Sequence, residues 1–233
     1  METHADLIAG LPLYHLSQIF DDVRTLAEYR AGEIQLESLK LLPGTEMRRR
    51  AEELGICYSP LPPYEVLQTR EITPDELQTA RQLSRLLDGF YNASAWQEIT
   101  RRLIVEEPDF LTRLLDHLIQ IGVIDQPMGL ERRGILLYHF CKEHYPLFLT
   151  AMSRAWIEAG MSLKKEPAER VRTKHVTPPE AWTVCTGTYR DDLRLCKLPA
   201  PEEGRCYWYG FETESQQLRP VFAAVSEELT PAP

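Results

Sequence analysis

Two short apolar runs near the start of the chain, Asp6-Leu7-Ile8-Ala9-Gly10-Leu11-Pro12 and Leu39-Lys40-Leu41-Leu42-Pro43-Gly44-Thr45, are each stopped by Gly and Pro. Between them Leu16, Ile19, Phe20, Val23, Leu26 and Ala27 recur at helical spacing. The pattern predicts a strand over 3–9, a helix closed by Gly32, and a second strand over 34–42, with His4, Asp6 and Ile8 on one face of the first strand and Ala5, Leu7 and Ala9 on the other. Strand–helix–strand is the unit of a parallel sheet, and it brings the carboxyl ends of both strands to one rim. The nearly continuous apolar character of the second strand predicts cover on both faces. Met1 lies almost inside the first strand, which would leave an open sheet edge, so the chain is expected to be a fragment.

Beyond Thr45, a predicted N-cap, a short helix is expected through Leu54 with Gly55 as its C-cap, followed by a stiff Pro60 to Pro63 connection. At Thr73-Pro74-Asp75-Glu76 a capping box with Pro at the first helical position opens a helix whose stripe is Leu77, Ala80, Leu83, Leu87 and Phe90. Further helices are predicted from Ser94 to near Pro108, from Pro108 to Gly122 with Ile121 in its stripe, and from about Arg132 to Ala159, the last interrupted at Pro146 and capped by Gly160. Leu163 to Pro179 is charged and Pro-containing and is expected to be a linker. Trp182 to Gly187, Leu193 to Leu198 and Cys206 to Phe211 are expected to be short strands, and Ser226 to Pro233 a loose tail. The fold class expected is α+β, mainly helical. Its three expected parts are 1–72, the βα units; 73–162, a helical domain; and 163–233, a linker with a small β-containing segment.

Composition narrows the function classes. The 233 residues carry a net charge of -9, which argues against general nucleic-acid binding. No apolar run is long enough for a membrane span. Five scattered cysteines, Cys57, Cys141, Cys185, Cys196 and Cys206, suit free thiols in a reducing, cytoplasmic setting; a secreted protein with two bridges is the plain alternative.

The two Gly/Pro-stopped runs resemble the late strands of radical-SAM barrels, most closely radical-SAM proteins with an N-terminal cobalamin-binding domain, in which a helical domain of unknown function follows the barrel. Arg50-Ala51-Glu52-Glu53-Leu54-Gly55-Ile56, Tyr58-Ser59-Pro60 and Pro63-Tyr64-Glu65-Val66-Leu67 are similar to the connecting segment of that group. The resemblance implies a partial (β/α) barrel, an S-adenosylmethionine and substrate wall, and a 4Fe-4S cluster and cobalamin in the full-length family. Its partners would be an N-terminal barrel and a cobalamin domain, in the same chain or another. The family's C-x3-C-x2-C cluster motif is absent from this sequence, so the chain alone is expected to hold none of these cofactors and to be inactive. The family continues Gly-Leu-Pro with Gly-Glu, whereas Leu13-Tyr14 stands here. The other function class is a non-catalytic module that binds a protein partner.

By the same resemblance, Gly10 and Pro12 mark a turn beside the cofactor's adenine, Ile8 and Leu41 offer apolar contact to a purine, and Pro43 shapes the second rim. The plain alternative is that Gly-x-Pro merely ends a strand. His4 and Asp6 share a face and are weak candidates for acid–base or hydrogen-bonding roles, against a satisfied polar pair. Glu37 and Lys40 differ in parity and cannot both face inward. His139, Cys141 and His144 lack zinc-ligand spacing, as do Cys185, Cys196 and Cys206, so no metal site is expected. Arg48-Arg49-Arg50 and the Lys164 to Lys174 stretch are expected to be solvated charge.

Overall fold

The computed structural model describes residues 3–168 and the strand backbones of 172–174, 194–199, 205–211 and 220–227. The protein is α+β and mainly helical, with small separate sheets. It divides into two compact units, Met1–Met128 and Gly129–Pro233.

The first unit begins with β1 (His4–Ala9), α1 (Leu16–Glu28) and β2 (Glu33–Ser38). β1 and β2 pair in parallel, His4 opposite Glu33 through Ala9 opposite Ser38. Ala9, Ile34 and Leu36 are buried on one face, while His4, Asp6, Ile8 and Glu37 are exposed on the other. The expectation of a second strand covered on both faces and running to Leu42 is therefore corrected. β2 alternates, because helices pack on one side of it only, and it ends at Ser38. Nor does Gly32 close α1. Arg30 takes the left-handed conformation there, at φ 58°, with Ala31 N–H bonded to Leu26 O and Arg30 N–H to Ala27 O, the paired bonds of a Schellman closure.

Next come α2 (Glu46–Arg49), β3 (Cys57–Tyr58) and β4 (Val66–Gln68). Thr45 caps α2 through its side chain, as expected, but the regular helix stops at Arg49; turns carry the chain to a second Schellman closure at Gly55. At Gly55 an added Cβ would lie 2.6 Å from the Arg70 side chain, so packing as well as φ demands glycine. β4 is antiparallel to β3.

α3 (Pro74–Leu86) carries the predicted capping box: Glu76 N–H donates to Thr73 Oγ1, and Thr73 N–H donates to Glu76 Oε2 at 2.8 Å. Its predicted stripe is buried throughout, and its end widens into a π-turn over Leu87–Tyr91. α4 (Gln97–Glu106) starts three residues after Ser94, with Trp96 at the N-cap position, and α5 (Phe110–Gln120) follows. Gly122 closes α5 as predicted, but Ile121 lies beyond the helix and is exposed. Arg24 of α1 donates to the carbonyls of Ile104 and Val105 at the end of α4, a cation where the helix dipole favours one.

In the second unit the helix predicted from Arg132 to Ala159 is broken at its proline. α6 (Leu130–His144) ends before a 3-10 turn at Pro146–Phe148, and α7 (Leu149–Glu158) follows, closed at Gly160. Tyr138, Phe140, Cys141, Met152, Trp156 and Ile157 are buried. A four-stranded antiparallel sheet, β5 (Arg172–Lys174), β6 (Arg194–Pro199), β7 (Arg205–Phe211) and β8 (Pro220–Glu227), runs in sequence order. Part of the expected linker is thus ordered structure: Glu166–Ala168 form a 3-10 turn and 172–174 a strand. β8 was not predicted, although Val221 to Val225 is an apolar run. The expected strand at Trp182 to Gly187 lies outside the described residues, as does the tail from 228.

Candidate functional site

The parallel unit has one solvent-facing side and one carboxyl rim, and together these gather the candidate residues. On the open face His4 bridges the strands. Its Nδ1 lies 3.0 Å from Glu33 Oε2 and its Nε2 3.1 Å from Asp6 Oδ1. Both ring nitrogens face carboxylates, so both bonds form only with the doubly protonated imidazolium. Desolvation pulls the His4 pKa down, but the Glu33 hydrogen bond and the Asp6 and Glu33 charges outweigh it, and the value is raised. Gln35 Nε2 donates to the other Glu33 oxygen at 3.2 Å. Glu37 reaches Lys40 Nζ at 3.5 Å, a surface pair of opposite parity across the strand end.

The rim is more filled than a ligand-ready edge. Beyond Ala9 the chain of β1 turns away at Gly10, and the segment at 64–66 takes its place beside β2's continuation. Leu39 N–H bonds Ala9 O, Val66 N–H bonds Leu39 O and Leu41 N–H bonds Tyr64 O, all at 2.9 Å. Gly10 has φ 91°, and a Cβ there would sit 3.2 Å from Val66 Cγ1 and 3.6 Å from Leu77 Cδ2. The close approach that Gly10 permits is therefore made by Val66 of this same chain. Leu41 is 1% exposed, which removes it as an open purine contact, while its neighbour Leu42 faces solvent. Ile8 lies on the open face at 37% exposure, Pro12 is half-buried and Pro43 is exposed.

Leu13 stands at φ 63° and is 80% exposed. Leucine there holds a left-handed backbone that glycine would adopt without strain. Tyr14, next in the loop, donates its phenol proton to Asp22 Oδ2; burial first, then that bond, pushes its pKa up.

Arg48 corrects the expectation for its triplet. Arg49 and Arg50 pair with Glu46 and Glu53 on the surface, but the Arg48 guanidinium lies between the Tyr58 and Tyr64 rings, 5.0 and 4.7 Å from their centroids. It donates to Leu41 O at 2.9 Å, so it anchors the rim from below. Sequence reasoning missed this role; the tyrosines at 58 and 64 were its only signal. In the second unit His139 pairs with Glu166 at 3.0 Å, Cys141 is buried with its thiol pushed up to about 12 by desolvation, and the His144 ring packs on Phe140. Among the described residues no three His, Cys, Asp or Glu side chains gather in a metal-binding arrangement, and the free thiols there are Cys57 and Cys141. No helix among the described residues is long and apolar enough to cross a membrane.

Residues 52–153 match the family described as a protein of unknown function, DUF4080. The match takes in the connecting segment from Glu52, the helices from α3 to α6 and the first part of α7. No curated protein matches the chain.

Proposed function

We propose that this chain is the carboxyl-terminal part of a cobalamin-type radical-SAM enzyme, supplying two βα units of the barrel and a helical domain behind them. The single observation that carries the reading is the parallel β1–α1–β2 unit with helices on one face and a polar, open second face. A (β/α) barrel likewise places its helices on one face of the parallel strands and turns the other face inward. The match to a domain of unknown function directly after this unit supports the same order of parts. The described residues do not fit an iron–sulfur cluster, since Cys57 is exposed and alone and Cys141 is buried. In this reading the cluster and the cobalamin belong to another segment or chain. They would supply S-adenosylmethionine cleavage and radical chemistry, while this chain contributes wall residues His4, Asp6 and Ile8 and the Gly10 to Leu13 turn.

The test is co-expression with the coding region immediately upstream, followed by anaerobic iron–sulfide reconstitution. A C-x3-C-x2-C segment, a four-iron absorbance band and release of 5′-deoxyadenosine are the expected results. An upstream region without those cysteines, and a preparation without the band, would overturn the reading. The second reading, a non-catalytic module that binds a protein partner, is favoured by the outer edge of β1, which pairs with no strand among the described residues.

A further inference from the structure

Beyond α7 the chain folds back over the helices of the second unit. Trp156 Nε1–H donates to Ser162 O at 2.9 Å, and turns carry the chain on to Glu166–Ala168. Pro167 and Ala168 are buried. The rest of the fastening is ionic. Glu166 holds two bases of α6 at once: Lys142 Nζ lies 2.7 Å from Oε1 and His139 Nε2 3.0 Å from Oε2. His139 and Lys142 stand three residues apart on the helix, so a single carboxylate reaches both. Lys165 turns the other way, to Glu131 in the first turn of α6 at 3.6 Å.

The helices and this segment are thus held by different forces. Beneath, Tyr138, Cys141, Met152 and Trp156 are packed at 0% exposure, a fastening that salt does not weaken. In the segment every ion-pair partner is at least 37% exposed, so water competes for each pair and salt screens it. Glu166 is the one carboxylate between Gly160 and Ala168, so the negative charge of the segment resides in a single side chain. The Lys142 hydrogen bond holds its pKa below the ordinary value, which keeps it ionised. Three residues separate Ala168 from β5. At full extension they reach about 10 Å, and release of the seven residues from Ser162 to Ala168 adds about 23 Å.

We propose that residues 162–168 are a strap, fastened by the charge on Glu166, that opens as a unit of its own and so frees the connection to the four-stranded sheet. The strap is independent of the enzyme reading, since it involves only the second unit. A segment with few buried apolar contacts opens at a lower cost than the helices it lies on.

The experiment uses the full 233-residue chain. Amide exchange is read by NMR at Lys165 and Ala168, whose N–H groups bond Ser162 O and Lys165 O, and at Phe140 within α6. Glu166→Gln is expected to speed exchange at Lys165 and Ala168 about fivefold or more and to leave Phe140 unchanged. Sodium chloride at about 1 M is expected to do the same to the native chain and to add little to Glu166→Gln. Tryptic cleavage after Lys164 and Lys165 is expected to rise in step with the exchange. Exchange at Lys165 and Ala168 that follows Phe140 in every condition overturns the separate opening. Exchange indifferent to both salt and Glu166→Gln overturns the ionic fastening, and a Glu166→Gln chain as salt-sensitive as the native one overturns the assignment to Glu166. Faster exchange without faster cleavage overturns the release of the segment.

Discussion

The carboxamide of Asn92 holds Ile34 by both its backbone groups, N–H and C=O, in the manner of a neighbouring strand. The π-turn makes this possible. It brings Asn92 N–H to Leu87 O at 2.8 Å and turns the side chain toward the start of β2. Around it Tyr91 Oη donates to Ala31 O and Gln97 Nε2 to Gly32 O, both at 2.6 Å. Three side chains at the junction of α3 and α4 thus satisfy the backbone carbonyls of Ala31, Gly32 and Ile34. The sheet and the helices form one cooperative piece at that point.

Asn92→Ala is expected to cost about 1–3 kcal/mol, because Ile34 is buried and its two backbone groups lose their partner. Asn92→Asp keeps the acceptor but sets a carboxylate against Ile34 O and beside Asp88, so at neutral pH it should cost at least as much as Asn92→Ala. The denaturant midpoint measures the cost. Amide exchange at Ile34 should quicken in Asn92→Ala before exchange in the middle of α1 does.

At the rim, two neighbouring substitutions should act in opposite directions. Leu13→Gly relieves a left-handed φ on an exposed side chain and is expected to stabilise by about 1 kcal/mol, the left-handed penalty less the added entropy of glycine in the unfolded chain. Gly10→Ala places a Cβ 3.2 Å from Val66 Cγ1 at φ 91° and is expected to destabilise by roughly 1–3 kcal/mol. Combining Gly10→Ala with Val66→Ala removes the clash but not the φ penalty, so a double-mutant cycle on thermal stability should show coupling of the two sites without full recovery. Equal losses in the single Gly10 variant and the cycle-corrected one would mean that Val66 is not what Gly10 makes room for.

Acid should weaken the start of α3. Hydrogen bonds from Thr73 hold the Glu76 pKa below its ordinary value. A depressed carboxylate contributes stability above its unfolded pKa, about 4.3, and loses it as pH falls through the lowered folded value. Glu76→Gln should therefore be less stable than the native chain at neutral pH and converge with it in acid. Thr73→Ala, which removes the other half of the box, should cost about 1 kcal/mol at neutral pH. His4 runs the opposite way. Its raised pKa gives a contribution complete below the unfolded value and lost as pH rises through the folded one, so it cannot mimic the acid limb of Glu76.

Local rules carried much of the architecture. The capping box at Thr73 to Glu76, the break at Pro146, and the closures at Gly55, Gly122 and Gly160 depend on residues within one or two turns of one another, so each was readable from order alone. The parallel pairing of β1 with β2 was readable too, because two short apolar runs separated by one amphipathic helix leave few other arrangements. The rim was not. Gly10 and Leu41 were assigned by resemblance and Arg48 by its charged neighbours, but their surroundings are Val66, Tyr64 and the Tyr58–Tyr64 pair, which loop back from further on. The same holds for the edges of the sheet. No periodicity in residues 33–38 shows that an amide at position 92 would take up both backbone groups of Ile34. By itself the sequence determined most of the elements, the caps at Thr45, Thr73, Gly55, Gly122 and Gly160 and the alternation of β1, since those follow from backbone sterics and side-chain period. The tertiary structure alone decided which backbone groups find partners far along the chain, because that depends on where loops return in space.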